Sequence, residues 1–260
     1  MEWVRLTAFA YRNLIMARRN VFFVFELTFW PGVAMLSHAL LTRFLDLTPQ
    51  MTAFILVGTV SLSTIQVCQL DVAYAVLFDI WSKSMKHQFL TPIGIRHLAV
   101  GAWVVGVGRG IIVWALMAVI GTWAFAFDFL GAGVASVAVF LLGCFLTSLM
   151  VGLLVCTLVL LFGTRAESSA WASVNLIMMF AGIYYPVSIL PGWAATVSAA
   201  IPLTYFLDAF RVGYGFPSQF AHPILTGLAL SVVYVALAHW ALAAAITRAR
   251  RTGLLLKLSE

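Results

Sequence analysis

The sequence predicts an all-α polytopic membrane protein: six transmembrane helices, an amphipathic amino-terminal interfacial helix, a short amphipathic helix after the second span, and an outer re-entrant helical hairpin before the last. Three observations lead there. Hydrophobic residues make up 63% of the 260 and charged residues 9%, with a mean hydropathy of +1.04, outside the range of soluble globular chains. The apolar residues form blocks long enough to cross a hydrocarbon core of about 30 Å. The Lys and Arg residues sit at the edges of those blocks, so the net charge of +6 reads as a match to anionic headgroups and a topology signal, with no nucleic-acid partner.

The amino-terminal segment, residues 1–19, places Arg5, Arg12 and Arg19 one heptad apart, while Trp3, Leu6, Phe9, Ala10 and Leu14 gather on another face. This is an interfacial helix. It is too long and too amphipathic for a signal peptide, and no small-x-small cleavage site follows. A first span at 21–41 contains Glu26 and Pro31; an outer loop at 43–50 follows, with Asp46 and Pro49. The second span, 52–78, carries the polar string Ser61, Ser63, Thr64, Gln66, Gln69 and Asp71, so one of its faces avoids lipid.

The stretch DIWSKSMKHQFLTPIGIRHL, residues 79–98, is the longest polar interruption in the chain. Ile80, Trp81, Met85, Phe89 and Leu90 recur at helical spacing within it, and Thr91-Pro92-Ile93-Gly94 ends that pattern. Two readings stand side by side: a docking surface for a soluble partner, or an ordinary cytoplasmic loop kept basic by the positive-inside rule.

A third span, 99–127, includes Arg109 and the Gly106/Gly110 pair, whose spacing suits close helix packing. Residues 128–131 turn outside, a fourth span runs to Phe162, and 163–169 return the chain inward. The fifth block begins at Ala170 and reaches Tyr184-Tyr185-Pro186 as a full span. It is followed by breaks at Pro191-Gly192-Trp193 and Ile201-Pro202, so residues 186–221 read as the outer re-entrant segment. The sixth span, 223–246, ends in Thr247-Arg248-Ala249-Arg250-Arg251. Every Lys and Arg then falls inside except Arg43 and Arg211, outside, and Arg109, within a span; both termini are placed in the cytoplasm. The whole chain, 1–260, reads as a single transmembrane domain.

Little in the composition supports chemistry. Cys68, Cys144 and Cys156 are widely spaced in apolar surroundings, and the five His residues form no ligand pattern, so no metal site is expected. An intramembrane enzyme needs a convergent set of reactive groups, and the spans offer only Glu26, Asp71, Arg109 and isolated His38 and His239. Charged residues within a span cost roughly 2.5–3.5 kcal/mol to insert and tend to pair or face water. Asp71 and Arg109 lie at depths that allow a pair between adjacent spans, and a transport role remains open beside the structural one. Tyr205, Asp208 and Arg211 share a helical face, so Asp208 and Arg211 are expected to pair at i, i+3. Most Trp residues mark span ends, whereas Phe22, Phe29, Trp30, Tyr184 and Tyr185 are candidates to line a passage.

Two stretches carry a resemblance. FLTPIGIRHLAVG, residues 89–101, is similar to the leucine-x-x-Pro segment that closes the loop after the second span in the ABC-2 permease family. GIYYPVSILPGWAATVSAAIPLTYFLDAFR, residues 182–211, resembles that family's Gly–aromatic–Pro, Leu-Pro-x-Trp and Pro-Leu-Thr motifs with an acidic–Ala–x–Arg tail. The layout is similar over nearly the whole chain. VFFVFELTFWPGVAML lacks the opening segment usual in O-antigen and capsule exporters, which leaves the substrate branch open between polysaccharide, glycolipid or other lipid-like cargo and hydrophobic drugs.

The resemblance implies the membrane subunit of an ATP-driven exporter in the bacterial plasma (inner) membrane, itself no enzyme. It implies a homodimer served by two cytoplasmic ABC ATPase subunits, which bind ATP and Mg; no GxxxxGK[ST] occurs in this chain. Carried over residue by residue, the coupling helix comprises Lys83, Ser84, Met85, Lys86, His87, Gln88, Phe89 and Leu90, ended by Pro92. Phe22, Glu26, Phe29, Trp30, Asp71, Arg109, Tyr184 and Tyr185 would line the substrate pathway. Pro186, Pro191, Pro202, Tyr205, Asp208 and Arg211 would form an outer gate.

Overall fold

The structure, a computed structural model, describes residues 2–19, 21–84 and 95–251. All regular structure among them is helical. In chain order the helices are α1 (Glu2–Arg19), α2 (Val21–Phe44), α3 (Pro49–Trp81), α4 (Ile95–Phe125), α5 (Val134–Phe162), α6 (Ser169–Phe180), α7 (Gly192–Ala199), α8 (Pro202–Val212) and α9 (Pro223–Arg251), with 3-10 turns at Gly163–Ala166 and Val187–Ile189. Among the described residues four helices are long and apolar enough to cross a membrane: α3, α4, α5 and α9.

The helix ends follow from local chemistry. Thr48 caps α3 by accepting the Met51 amide at 3.3 Å, and Pro49 enters at the first turn, where its missing N–H costs nothing. Pro191 immediately precedes α7 and Pro202 opens α8, so the two prolines set the starts of the hairpin helices. The fifth block differs from the full span expected of it. Its helix, α6, has 12 residues, about 18 Å at the α-helical rise, well short of a hydrocarbon core. Gly182, at φ +69°, then turns the chain where a side chain would be strained.

α3 is the hub: it packs against α2, α4, α5, α6 and α8. Small residues let its neighbours close in. A Cβ on Gly106 of α4 would lie 2.9 Å from the Cys68 carbonyl oxygen, and one on Gly110 would lie 2.8 Å from the Phe145 ring. This is the packing that the glycine spacing suggests. On the other side α9 and α8 pack on α5, with the Phe206 ring filling the space over Gly143 and Gly227. α1 lies against α4 and buries Phe9, while Val4, Tyr11 and Leu14 stay exposed.

The bundle has two chemically distinct ends. One, the hairpin end, holds the α2–α3 and α4–α5 turns with α7 and α8. It is tied by Gln50 donating to the Gly215 carbonyl at 2.9 Å and by the Tyr214 hydroxyl shared between the Asp128 and Phe129 carbonyls at 3.1 Å. Burial, and Asp128 nearby, push the Tyr214 phenol pKa up. The other, the loop end, holds α1, residues 82–84 and the α5–α6 turn. Between the ends, large apolar side chains such as Val119, Val232 and Leu237 face outward, a surface suited to lipid. The chain is a multi-pass membrane protein.

Candidate functional site

A cavity of about 650 Å³ lies between α2, α3, α4 and α6. α3 supplies Ser63 and Gln66, an i, i+3 pair of the polar string seen in the sequence, and also Tyr74; Trp30 and His38 come from α2, Trp171 from α6, Arg109 from α4, and Tyr184 from the segment after α6. The rest of the string is buried against neighbours: Gln69 donates to the Ala170 carbonyl at 2.8 Å, and Ser61 to that of Gly58 at 2.7 Å. These bonds offset part of the cost of so polar a span, while the Thr64 hydroxyl and the Gln69 side-chain carbonyl, both buried, have no hydrogen-bond partner among the described residues.

Arg109 reaches the cavity while its guanidinium Nη1 donates to Asp71 Oδ1, an ion pair that bridges α4 and α3. Both side chains are largely withdrawn from solvent. Pairing neutralises the charges at a depth where either alone would be costly.

A second cavity, about 450 Å³, lies at the hairpin end, lined among others by Phe54, Pro186, Thr204, Asp208, Arg211 and Phe220. The hairpin is stapled internally: the Tyr205 hydroxyl donates to the Ala199 carbonyl at 2.8 Å and the Thr204 hydroxyl to that of Ser198 at 3.0 Å.

The expected i, i+3 pair between Asp208 and Arg211 does not form. Asp208 instead accepts the Ser218 hydroxyl at 2.7 Å and the Gln219 amide at 3.1 Å. Arg211, 6% exposed, turns inward: it donates to the carbonyls of Gly182 and Ile183 at 2.6 Å each and of Phe54 at 3.2 Å, with its guanidinium over the Phe54 ring. Carbonyls around a sharp turn make a stronger claim on a buried guanidinium than a half-buried carboxylate that already has two donors.

At the loop end α3 closes with Lys83 at φ +56°. Arg12 Nη2 of α1 donates to Asp79 Oδ1 at 2.5 Å, and the Ser84 hydroxyl reaches the same oxygen at 3.0 Å; Asp79 is 1% exposed. Trp81 Nε1 donates to Glu167 at 3.3 Å, linking the base of the loop to the α5–α6 turn.

Of the residues singled out as coupling positions, Lys83 and Ser84 sit at this junction, whereas Met85, Lys86, His87, Gln88, Phe89, Leu90 and Pro92 lie outside the described residues. Of the pathway candidates, Trp30, Arg109 and Tyr184 meet in the larger cavity, with Asp71 directly behind Arg109. Phe29 is exposed on α2, stacked on Phe25. Tyr185 bends back so that its hydroxyl donates to the Met179 carbonyl at the end of α6. Phe22 and Glu26 lie on α2, with side chains outside the described ones. Of the gate candidates, Pro186, Asp208 and Arg211 line the second cavity, while Pro191, Pro202 and Tyr205 shape the helices around it.

Sequence reasoning missed His38, Tyr74 and Trp171 as lining residues and Arg12 as the partner of Asp79. No local signal marks the first three; only Gln66 and Ser63 stood within a patterned string. The three cysteines are free and buried, and no group of metal-ligating side chains occurs among the described residues.

The family model for the ABC-2 type transporter matches residues 6–215. No curated protein matches the chain.

Proposed function

The chain belongs to the ABC-2 type transporter family, and from that premise we propose that it is the transmembrane subunit of an ATP-driven exporter moving a polysaccharide, glycolipid or other lipid-like substrate outward across the bacterial plasma membrane. The observation that carries this reading is the larger cavity. At bilayer depth it presents the aromatic rings of Trp30, Tyr74, Trp171 and Tyr184 together with Ser63, Gln66, His38 and the paired Arg109. Flat rings suit sugar faces and acyl chains, and a few hydrogen-bonding groups suit hydroxyls or a headgroup. The apolar share of the same lining also suits a hydrophobic drug, the second reading.

In this reading α2 and α6 complete six membrane-inserted segments, the hairpin end faces outward, and the loop end and both termini are cytoplasmic. Two ABC ATPase subunits dock there, supply the ATP and Mg chemistry, and press on residues 83–90 of each copy in a homodimer. The Arg12–Asp79–Ser84 cluster supports that arrangement, because it joins the amino-terminal helix to the first residues of the loop that would receive the ATPase stroke.

The test is reconstitution with the partner ATPase in lipid vesicles and assay of cargo-stimulated ATP hydrolysis. Lipid-linked glycans are expected to stimulate it, and Gln66→Ala or Trp30→Ala to reduce that stimulation by about tenfold, the loss of one or two binding contacts. Stimulation by hydrophobic drugs alone would favour the second reading. Failure of any ABC ATPase to co-purify with the wild type, or retention of one despite Met85→Asp and Phe89→Asp, would count against the transporter reading altogether.

A further inference from the structure

Of the residues lining the two cavities, Tyr184 alone belongs to both. Its ring stacks on His38 of α2, with centroids 4.9 Å apart and planes 13° from parallel. The ring is therefore held against α2 at the boundary between the mid-membrane chamber and the hairpin-end chamber.

The backbone behind it is held as firmly. Ile183 is fully buried, and its carbonyl oxygen presses on α3 at Gly58, where a Cβ would lie only 2.0 Å away. From the other side Arg211 of α8 grips the two successive carbonyls of Gly182 and Ile183. A planar guanidinium is the side chain suited to such a fork, since two N–H groups diverge from it in fixed directions. The strap 182–184 is thus clamped between α3 and the hairpin, and its end is the residue that separates the chambers.

We infer that Tyr184 is the partition of the passage and that Arg211 is the positioning residue that keeps it closed, so that movement of α8 relative to α3 opens one chamber to the other. This rests on the transport reading for its purpose, though not for its geometry. Withdrawing α8 removes both donors from the strap at once, which frees the peptide preceding Tyr184 to rotate. An amphipathic cargo would pass from the larger chamber to the outer one only in that arrangement.

The test is side-specific thiol labelling of the full chain with its partner ATPase in oriented vesicles, using a membrane-impermeant maleimide added from the hairpin side. Ser63→Cys reports the larger chamber and Ser188→Cys the outer one; the native cysteines are buried and serve as background. With Tyr184 present, Ser63→Cys is expected to label at least about tenfold more slowly than Ser188→Cys, as for a site exposed only by opening. Tyr184→Ala should erase that difference, and Tyr184→Phe, which keeps the ring, should preserve it. Arg211→Gln should accelerate labelling at Ser63→Cys while leaving Ser188→Cys unchanged, a selectivity that mere loosening of the hairpin would not give. If Arg211→Gln fails to elute as a monodisperse protein, Arg211→Lys replaces it with the same expectation.

Equal labelling of the two reporters in the wild type, or no change with Tyr184→Ala, overturns the partition. A rate at Ser63→Cys unmoved by the Arg211 variants overturns the role of Arg211. Labelling needs no cargo, so the two readings fail separately. Expected labelling without cargo-stimulated hydrolysis leaves the partition standing and sinks the exporter; stimulation with unaltered labelling does the reverse.

Discussion

Among the described residues two arginines are withdrawn from solvent, Arg109 and Arg211, and they are accommodated by opposite means. Arg109 meets a carboxylate: Asp71 across the α3–α4 contact, charge against charge. Arg211 makes no ion pair among the described residues and meets three backbone carbonyls and an aromatic face instead. The first arrangement locks two long helices side by side and needs only a positive charge near a negative one. The second holds a path of the main chain and needs the shape of the guanidinium as much as its charge. Arg109 is therefore a fastener between two long helices, and Arg211 a clamp on the irregular strap 182–184.

The largest loss is expected at the ion pair. Arg109→Ala is expected to destabilise the folded protein by about 3–5 kcal/mol by stranding Asp71, and adding Asp71→Asn should cost less than the sum of the single changes. Strictly additive losses in denaturant or thermal unfolding would show that the pair is incidental. Exchange of arginine for lysine sharpens the contrast. Arg211→Lys should cost about 2–3 kcal/mol because one ammonium cannot serve diverging carbonyls, while Arg109→Lys should cost about 1 kcal/mol because a point charge still meets Asp71. Equal costs would remove the distinction.

The clamp has a second jaw, and Gly58→Ala tests it. A Cβ 2.0 Å from the Ile183 oxygen must push the strap away from α3, at about 2 kcal/mol, with little effect on the Asp71–Arg109 contact. Unfolding of this variant as stably as wild type would show that the strap yields freely. A smaller effect is expected at the loop end, where Arg12→Ala removes a half-exposed partner but leaves the buried Asp79 its Ser84 hydroxyl, and should lower stability by about 1–2 kcal/mol. If the cluster transmits the ATPase stroke, the same variant should reduce cargo-stimulated hydrolysis far more than this stability loss explains. Parallel small losses in both would reduce it to an anchor.

Much of the fold was determined by the sequence alone. Apolar block length accounts for α3, α4, α5 and α9 as helices long enough to cross a bilayer, whose core accepts only chain with its backbone polar groups bonded internally. Pro49, Pro191 and Pro202 fix where helices start, since each lacks the amide that a helix interior would require. The polar string on α3 announced a face turned from lipid, and Ser63 and Gln66 do face the cavity. Depth in adjacent spans allowed Asp71 and Arg109 to pair, and the packed helices form that pair.

The tertiary structure decided what local pattern could not. Helical spacing put Asp208 beside Arg211, yet buried carbonyls more than twenty residues away outbid the neighbouring carboxylate, and no i, i+3 rule contains that competition. The fifth block is apolar enough to read as a span, but α6 stops at Phe180 because Gly182 and the Arg211 fork turn the chain back toward α3. His38 and Tyr184 lie far apart in sequence and become stacked plates only when α2 packs beside α3. Insertion is a property of each segment's own free energy in lipid and so is written locally. The partner that satisfies a buried polar group depends on which distant atoms the packed helices bring within reach.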